Sequence, residues 1–111
     1  MVLGLNEYVR TKNGIIAKVI GVQSGGIEKY YFDKEVIDNF KELTQIGAEN
    51  VVVKHSFNII DLIEEGDYVN GQKAVGISSG WIDTKENVIR KDHIKTILTK
   101  EQFKAMEYEV K

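Results

Sequence analysis

The stretch from residue 59 to residue 72, IIDLIEEGDYVNGQ, restricts the fold more than any other part of the chain. An apolar run, Ile59, Ile60, Leu62 and Ile63, stops at Glu64-Glu65-Gly66-Asp67, and Tyr68-Val69 leads straight into Asn70-Gly71. Gly66 adopts positive φ without a Cβ clash, so it is the natural corner. Asn-Gly between apolar segments is the strongest short hairpin signal. Corner, strand, tight turn and strand is the grammar of a small barrel or sandwich.

The rest of the chain reads in the same way. Asn13-Gly14 separates residues 5–12 from 15–23 and predicts a hairpin with a type I′ turn. Ser24-Gly25-Gly26 is the next turn, and residues 27–32 form a strand with Glu28, Tyr30 and Phe32 on one face. Asp33 is the expected N-cap of an inserted amphipathic helix over 33–46. Val36, Ile37, Phe40, Leu43 and Ile46 recur there at helical spacing, and Gly47 stands as its stop. Strands are expected at 50–57, 72–78, 81–82, 87–90 and 93–98. Thr99 with Gln102 makes a capping box for a short helix over about 100–108, with Phe103, Met106 and Val110 toward the core. The sum is mainly β: a small antiparallel SH3-like barrel or sandwich with those two helices. Glu7-Tyr8-Val9 before Asn13-Gly14 is echoed by Asp67-Tyr68-Val69 before Asn70-Gly71. The expected reason is that two hairpins of one barrel need similar chemistry; internal duplication is the alternative.

At 111 residues the chain is expected to form a single domain, 1–111, around one modest core. Its 42% hydrophobic and 29% charged residues fit a globular protein rather than a disordered one. The net charge of -2 lacks the basic excess of a dedicated nucleic-acid binder, although a local basic face stays open. Without cysteine there is no disulfide, thiolate chemistry or Cys-ligated metal. No apolar run approaches the roughly 18 residues of a membrane span, and residues 1–12 lack a signal peptide's pattern. A cytoplasmic location, the cytoplasm of a bacterial host, is expected. Abundant Lys, Ile and Asn, with Arg10 and Arg90 as the arginines and no proline, hint at an AT-rich genome.

Candidate site residues fall into two groups. Tyr30, Tyr31, Tyr68 and Trp81 with Arg10, Lys12, Lys54 and Arg90 are types that stack bases and hold phosphates. The bland alternative is that these aromatics fill a core or a subunit interface. His55, between Lys54 and Ser56, joins them as a phosphate contact or a base; otherwise it is a surface histidine. Glu64, Glu65 and Asp67, with Asp61, form an acidic cluster able to face a basic partner or simply a solvated turn. The cluster does not match a calcium loop, and His55 and His93 form no metal-ligand pair. The glycines make no GxGxxG or Walker loop. No cofactor and no metal are expected.

Residues 9–15, VRTKNGI, resemble the basic strand and glycine hairpin of KOW-type barrels. Residues 53–56, 58–71, 97–103 and 106–108 are similar to small uncharacterised proteins of phages and prophages from AT-rich Gram-positive bacteria, whereas 33–50 are particular to this chain. That resemblance implies a phage accessory protein, a class rich in inhibitors of host defence. The leading expectation is a non-enzymatic binding protein that inhibits a bacterial antiviral defence system, by occluding a defence protein or by sequestering a nucleotide second messenger, with a homo-oligomer in view. The alternative is a nucleic-acid-binding barrel for phage transcription or RNA handling. An enzyme using His55 ranks last, because no catalytic set emerges.

Overall fold

The computed structural model describes residues 1–107. The chain is mainly β and divides into two compact units, residues 1–58 and 59–111. Unit 1 carries β1 (Tyr8–Thr11), β2 (Ile16–Gln23), β3 (Lys29–Phe32), β4 (Glu42–Thr44), α1 (Gln45–Val51) and β5 (Val52–Ser56). Unit 2 carries a 3-10 turn (Ile59–Leu62), β6 (Tyr68–Val69), β7 (Gln72–Ile77), β8 (Trp81–Thr84) and β9 (Val88–Arg90). A second 3-10 turn (Lys91–His93), β10 (Ile97–Leu98) and α2 (Lys100–Ala105) complete it.

Each unit is one antiparallel five-stranded sheet, ordered β4-β3-β2-β1-β5 in the first and β10-β6-β7-β8-β9 in the second. The two orders are the same pattern: a four-strand meander whose first strand also pairs with the fifth, as in an SH3-like barrel. The buried apolar residues gather into two clusters instead of the single core expected from length. One is built around Val9, Val19, Tyr30 and Phe32, the other around Ile60, Val69, Ala74 and Ile82. Full burial of one such aliphatic side chain is worth about 1.5–3 kcal/mol.

The likeness between the units reaches individual hydrogen bonds. Glu7 N–H donates to Gly4 O at 3.1 Å while its carboxylate accepts from Gly4 N–H at 2.8 Å. Asp67 N–H donates to Glu64 O at 3.0 Å while its carboxylate accepts from Glu64 N–H at 2.7 Å. Between these residues the corner needs a left-handed backbone, supplied by Asn6 (φ 70) and Gly66 (φ 94). Val19 and Ala74 then close the two corners by the same pair of backbone bonds. A β-bulge follows in each, between Val19 and Gly21 and between Ala74 and Gly76. The acid-Tyr-Val echo therefore marks the same corner of two separate sheets, not two hairpins of one barrel.

The turns carry out most of their expected roles. Asn70 (φ 51) and Gly71 (φ 80) both take the left-handed region, as a type I′ turn requires. Asn70 also accepts from Lys95 N–H and Thr96 N–H through Oδ1, at 2.7 and 3.0 Å, fixing the chain ahead of β10. The Asn13-Gly14 turn differs from expectation. Only Gly14 has positive φ, and Gly14 N–H bonds to Thr11 O while Thr11 N–H bonds to Ile15 O. That is a type I turn followed by a left-handed glycine, the three-residue hairpin loop.

The helix expected over 33–46 is not formed. Asp33 caps nothing helical: its Oδ1 accepts from Lys18 N–H on β2 at 2.9 Å. Asp38 turns left-handed (φ 49), and a bridge between Ile37 and Phe40 folds the segment back, burying Val36 and exposing Phe40. Leu43, instead of lining a helix, pairs with Tyr30 across β4 and β3. The helix starts eleven residues late because Thr44, not Asp33, is its N-cap, accepting from Gly47 N–H at 3.1 Å; Gly47 lies inside the helix rather than ending it. Edge pairing of β4 has overridden the local periodicity. The strand expected at 93–98 shrinks to Ile97–Leu98 behind a 3-10 turn, and the one expected at 50–57 begins at Val52. The Thr99 capping box is present, with Gln102 N–H donating to Thr99 Oγ1 at 3.3 Å. Phe103 and Met106 are exposed rather than core-facing, and Val110 lies outside the described residues.

Candidate functional site

Strand alternation on β8 puts Ile82 into the core of unit 2 and Trp81 and Asp83 on the opposite face. On β9, Ile89 is buried while Val88 and Arg90 lie on the outer side. Register then sets the neighbours: Trp81 stands directly across from Arg90, and Asp83 across from Val88. Directly opposed side chains have Cβ atoms about 5 Å apart. Trp81 is 45% exposed and Arg90 is exposed as well. Among the described residues, neither side chain makes a hydrogen bond, an ion pair or a ring contact. An indole and a guanidinium are thus held side by side with their binding capacity unused.

Gly76 completes this face. It pairs with Asp83, and a Cβ there would stand 3.2 Å from Asp83 Oδ2, so the carboxylate lies along the β7 backbone where a side chain is missing. At the matching place in unit 1, the Tyr31 ring lies across Gly21. Lys29 and Thr44 stand where Trp81 and Arg90 stand in unit 2. The shared fold therefore does not demand the Trp81–Arg90 pair.

The other sequence candidates are dispersed. Arg10 is 1% exposed and engaged within the chain, although it pairs in register with exposed Lys54. Tyr30 is fully buried; its hydroxyl accepts from Leu3 N–H at 3.2 Å, so it is a core residue. Tyr31 donates its hydroxyl to Gln23 Oε1 at 2.7 Å. Lys12 is exposed beside the first hairpin turn. Tyr68 stacks on Phe103 with ring centroids 4.8 Å apart. His55 is oriented through Nδ1 by Glu7 Oε2, and Glu7 is buried.

The acidic cluster is mostly engaged by its own chain. Asp67 is fully buried, and its two oxygens accept from Glu64 N–H at 2.7 Å and Lys100 N–H at 2.9 Å. Glu64 pairs with Lys100 Nζ at 2.6 Å. That hydrogen bond, opposed by burial and aided by the charges of Glu64, Asp67 and Glu101, raises the Lys100 ammonium above its ordinary value. Glu65 is exposed.

Sequence reasoning missed Asp83 and Glu7. The period-2 alternation from Trp81 would have found the first, and the acid-Tyr-Val echo the second. Among the described residues no cluster of His, Asp and Glu could hold a metal ion, and no helix is long and apolar enough to cross a membrane. No family model, curated protein or solved structure matches this chain.

Proposed function

We propose that this chain is a non-enzymatic binding protein of phage origin that captures a nucleotide signal and so antagonises a bacterial antiviral defence. The observation that carries the capture is the exposed Trp81 beside the exposed Arg90, both side chains unpartnered among the described residues. A flat indole stacks on a base, a contribution of about 1–3 kcal/mol, and a guanidinium grips phosphate in a bidentate fork. The phage setting rests on the resemblance of residues 53–56, 58–71, 97–103 and 106–108. Sequestration is favoured over occlusion by an acidic edge, because Glu64 and Asp67 are engaged within the chain.

Trp81 is the only tryptophan, so its fluorescence reports on this face alone. Titration with nucleoside mono- and triphosphates is expected to quench it saturably, with weaker binding in Arg90→Ala. Absence of saturable quenching up to about millimolar nucleotide, an affinity weaker than about 4 kcal/mol, would reject the proposal.

A further inference from the structure

We infer that the Trp81 face selects guanine among the nucleobases, with Asp83 reading the base. This inference rests on the nucleotide-capture reading and names the ligand class for the same site. Trp81 and Asp83 are two positions apart on β8, so their side chains leave the same face roughly 6.8 Å from each other along the strand. A purine stacked on the indole and running along the strand presents its far edge to that carboxylate.

Three observations fix what Asp83 can do. It is half-buried, and among the described residues its carboxylate has no hydrogen-bond or ionic partner. The two buried carboxylates among the described residues are by contrast engaged: Asp67 by two backbone N–H groups, Glu7 by Gly4 N–H and His55. The missing side chain at Gly76 leaves room for Asp83 against the β7 backbone, since a Cβ there would stand 3.2 Å from its Oδ2. Val88, directly across from Asp83 and exposed, adds an apolar contact beside the base.

The chemistry then discriminates. An ionised carboxylate only accepts hydrogen bonds. The Watson–Crick edge of guanine offers N1–H and N2–H side by side, a matched pair of donors for two carboxylate oxygens. Adenine and cytosine offer one amino donor next to a ring-nitrogen lone pair, which a carboxylate repels. Uracil offers one N–H between two carbonyls. Arg90, beside the indole, stays available for the phosphate. Unit 1 has Tyr31 in the position of Asp83 and Lys29 in that of Trp81, so the selective face belongs to unit 2.

The test is a Trp81 fluorescence titration of the full chain with GMP, AMP, CMP and UMP, repeated on Asp83→Asn. GMP is expected to bind at least about tenfold more tightly than AMP, the scale of one charge-assisted hydrogen bond. Asp83→Asn is nearly isosteric and places an amide donor against N1–H, so it is expected to abolish that preference while AMP binding persists. Circular dichroism is expected to show the variant folded. Equal binding of GMP and AMP, or a GMP preference that survives in Asp83→Asn, would overturn the guanine assignment and leave nucleotide capture standing. Binding of no nucleotide would overturn both.

Discussion

Asp67 and the backbone of Lys100 are joined by a 2.9 Å hydrogen bond, from Lys100 N–H to Asp67 Oδ1, across 33 residues of sequence. The same carboxylate holds Glu64 N–H through its other oxygen. One buried acid thus closes the corner ahead of β6 and anchors the start of α2. Asp67→Ala leaves two N–H groups without that acceptor in a place shielded from water. A loss of about 2–4 kcal/mol is expected in urea unfolding, with Asp67→Asn losing less because one oxygen remains. A change below about 0.5 kcal/mol would show the corner is held by other means.

Above that corner, Lys100 Nζ and Glu64 Oε1 form a partly exposed pair. The ammonium is raised from its ordinary value of 10.5, first by the Glu64 hydrogen bond. A cation with a raised folded-state pKa stabilises fully below its unfolded-state value and loses that contribution as pH climbs through the folded one. Thermal melts from pH 9 to 12 are expected to show a slightly steeper decline for the native chain than for Glu64→Gln. The difference is small, since exposed pairs contribute about 0–1 kcal/mol, and it should shrink in high salt.

The glycines behind the two bulges give a paired prediction. Gly21 and Gly76 occupy equivalent positions, and neither has positive φ. A Cβ at Gly21 would meet the Tyr31 ring at an ordinary 3.5 Å, whereas one at Gly76 would press on Asp83 Oδ2 at 3.2 Å. Gly21→Ala is expected to be neutral or stabilising by up to about 1 kcal/mol, because alanine narrows the unfolded ensemble. Gly76→Ala is expected to gain less or to lose stability. Denaturant midpoints of the two variants decide it, and a larger gain at Gly76 would contradict the geometry.

Tyr68 and Phe103 stack at 4.8 Å with planes 25° apart, tying β6 to α2. A double-mutant cycle of Tyr68→Ala and Phe103→Ala is expected to give a coupling of about 0.5–1.5 kcal/mol. Strictly additive effects would deny the contact any weight.

The sequence spoke clearly where chemistry is local. Gly66, the Asn70-Gly71 turn and the Thr99 cap are each decided by one or two residues. It misled where several partners decide. Val36, Phe40 and Leu43 share a helical period, yet pairing of Leu43 with Tyr30 and the left-handed Asp38 send them to different places. The second sheet left a trace as well. Lys18-Val19-Ile20-Gly21 matches Lys73-Ala74-Val75-Gly76, but its spacing of 55 differs from the 60 between Glu7 and Asp67. The shorter second hairpin hides the repeat from any fixed period. The burial of Arg10 depends on tertiary packing and has no local signature. Trp81 and Arg90 were both legible as ligand types; that they are neighbours is a matter of register.

The proposed function places nucleotide capture at the face carrying Trp81. The most direct measurement is the fluorescence titration of Trp81 with nucleotides in the intact chain, beside Arg90→Ala. Saturable quenching is expected, with binding weakened at least about tenfold when the guanidinium is removed. Emission that does not respond to any nucleotide, or binding unchanged in Arg90→Ala, would contradict it.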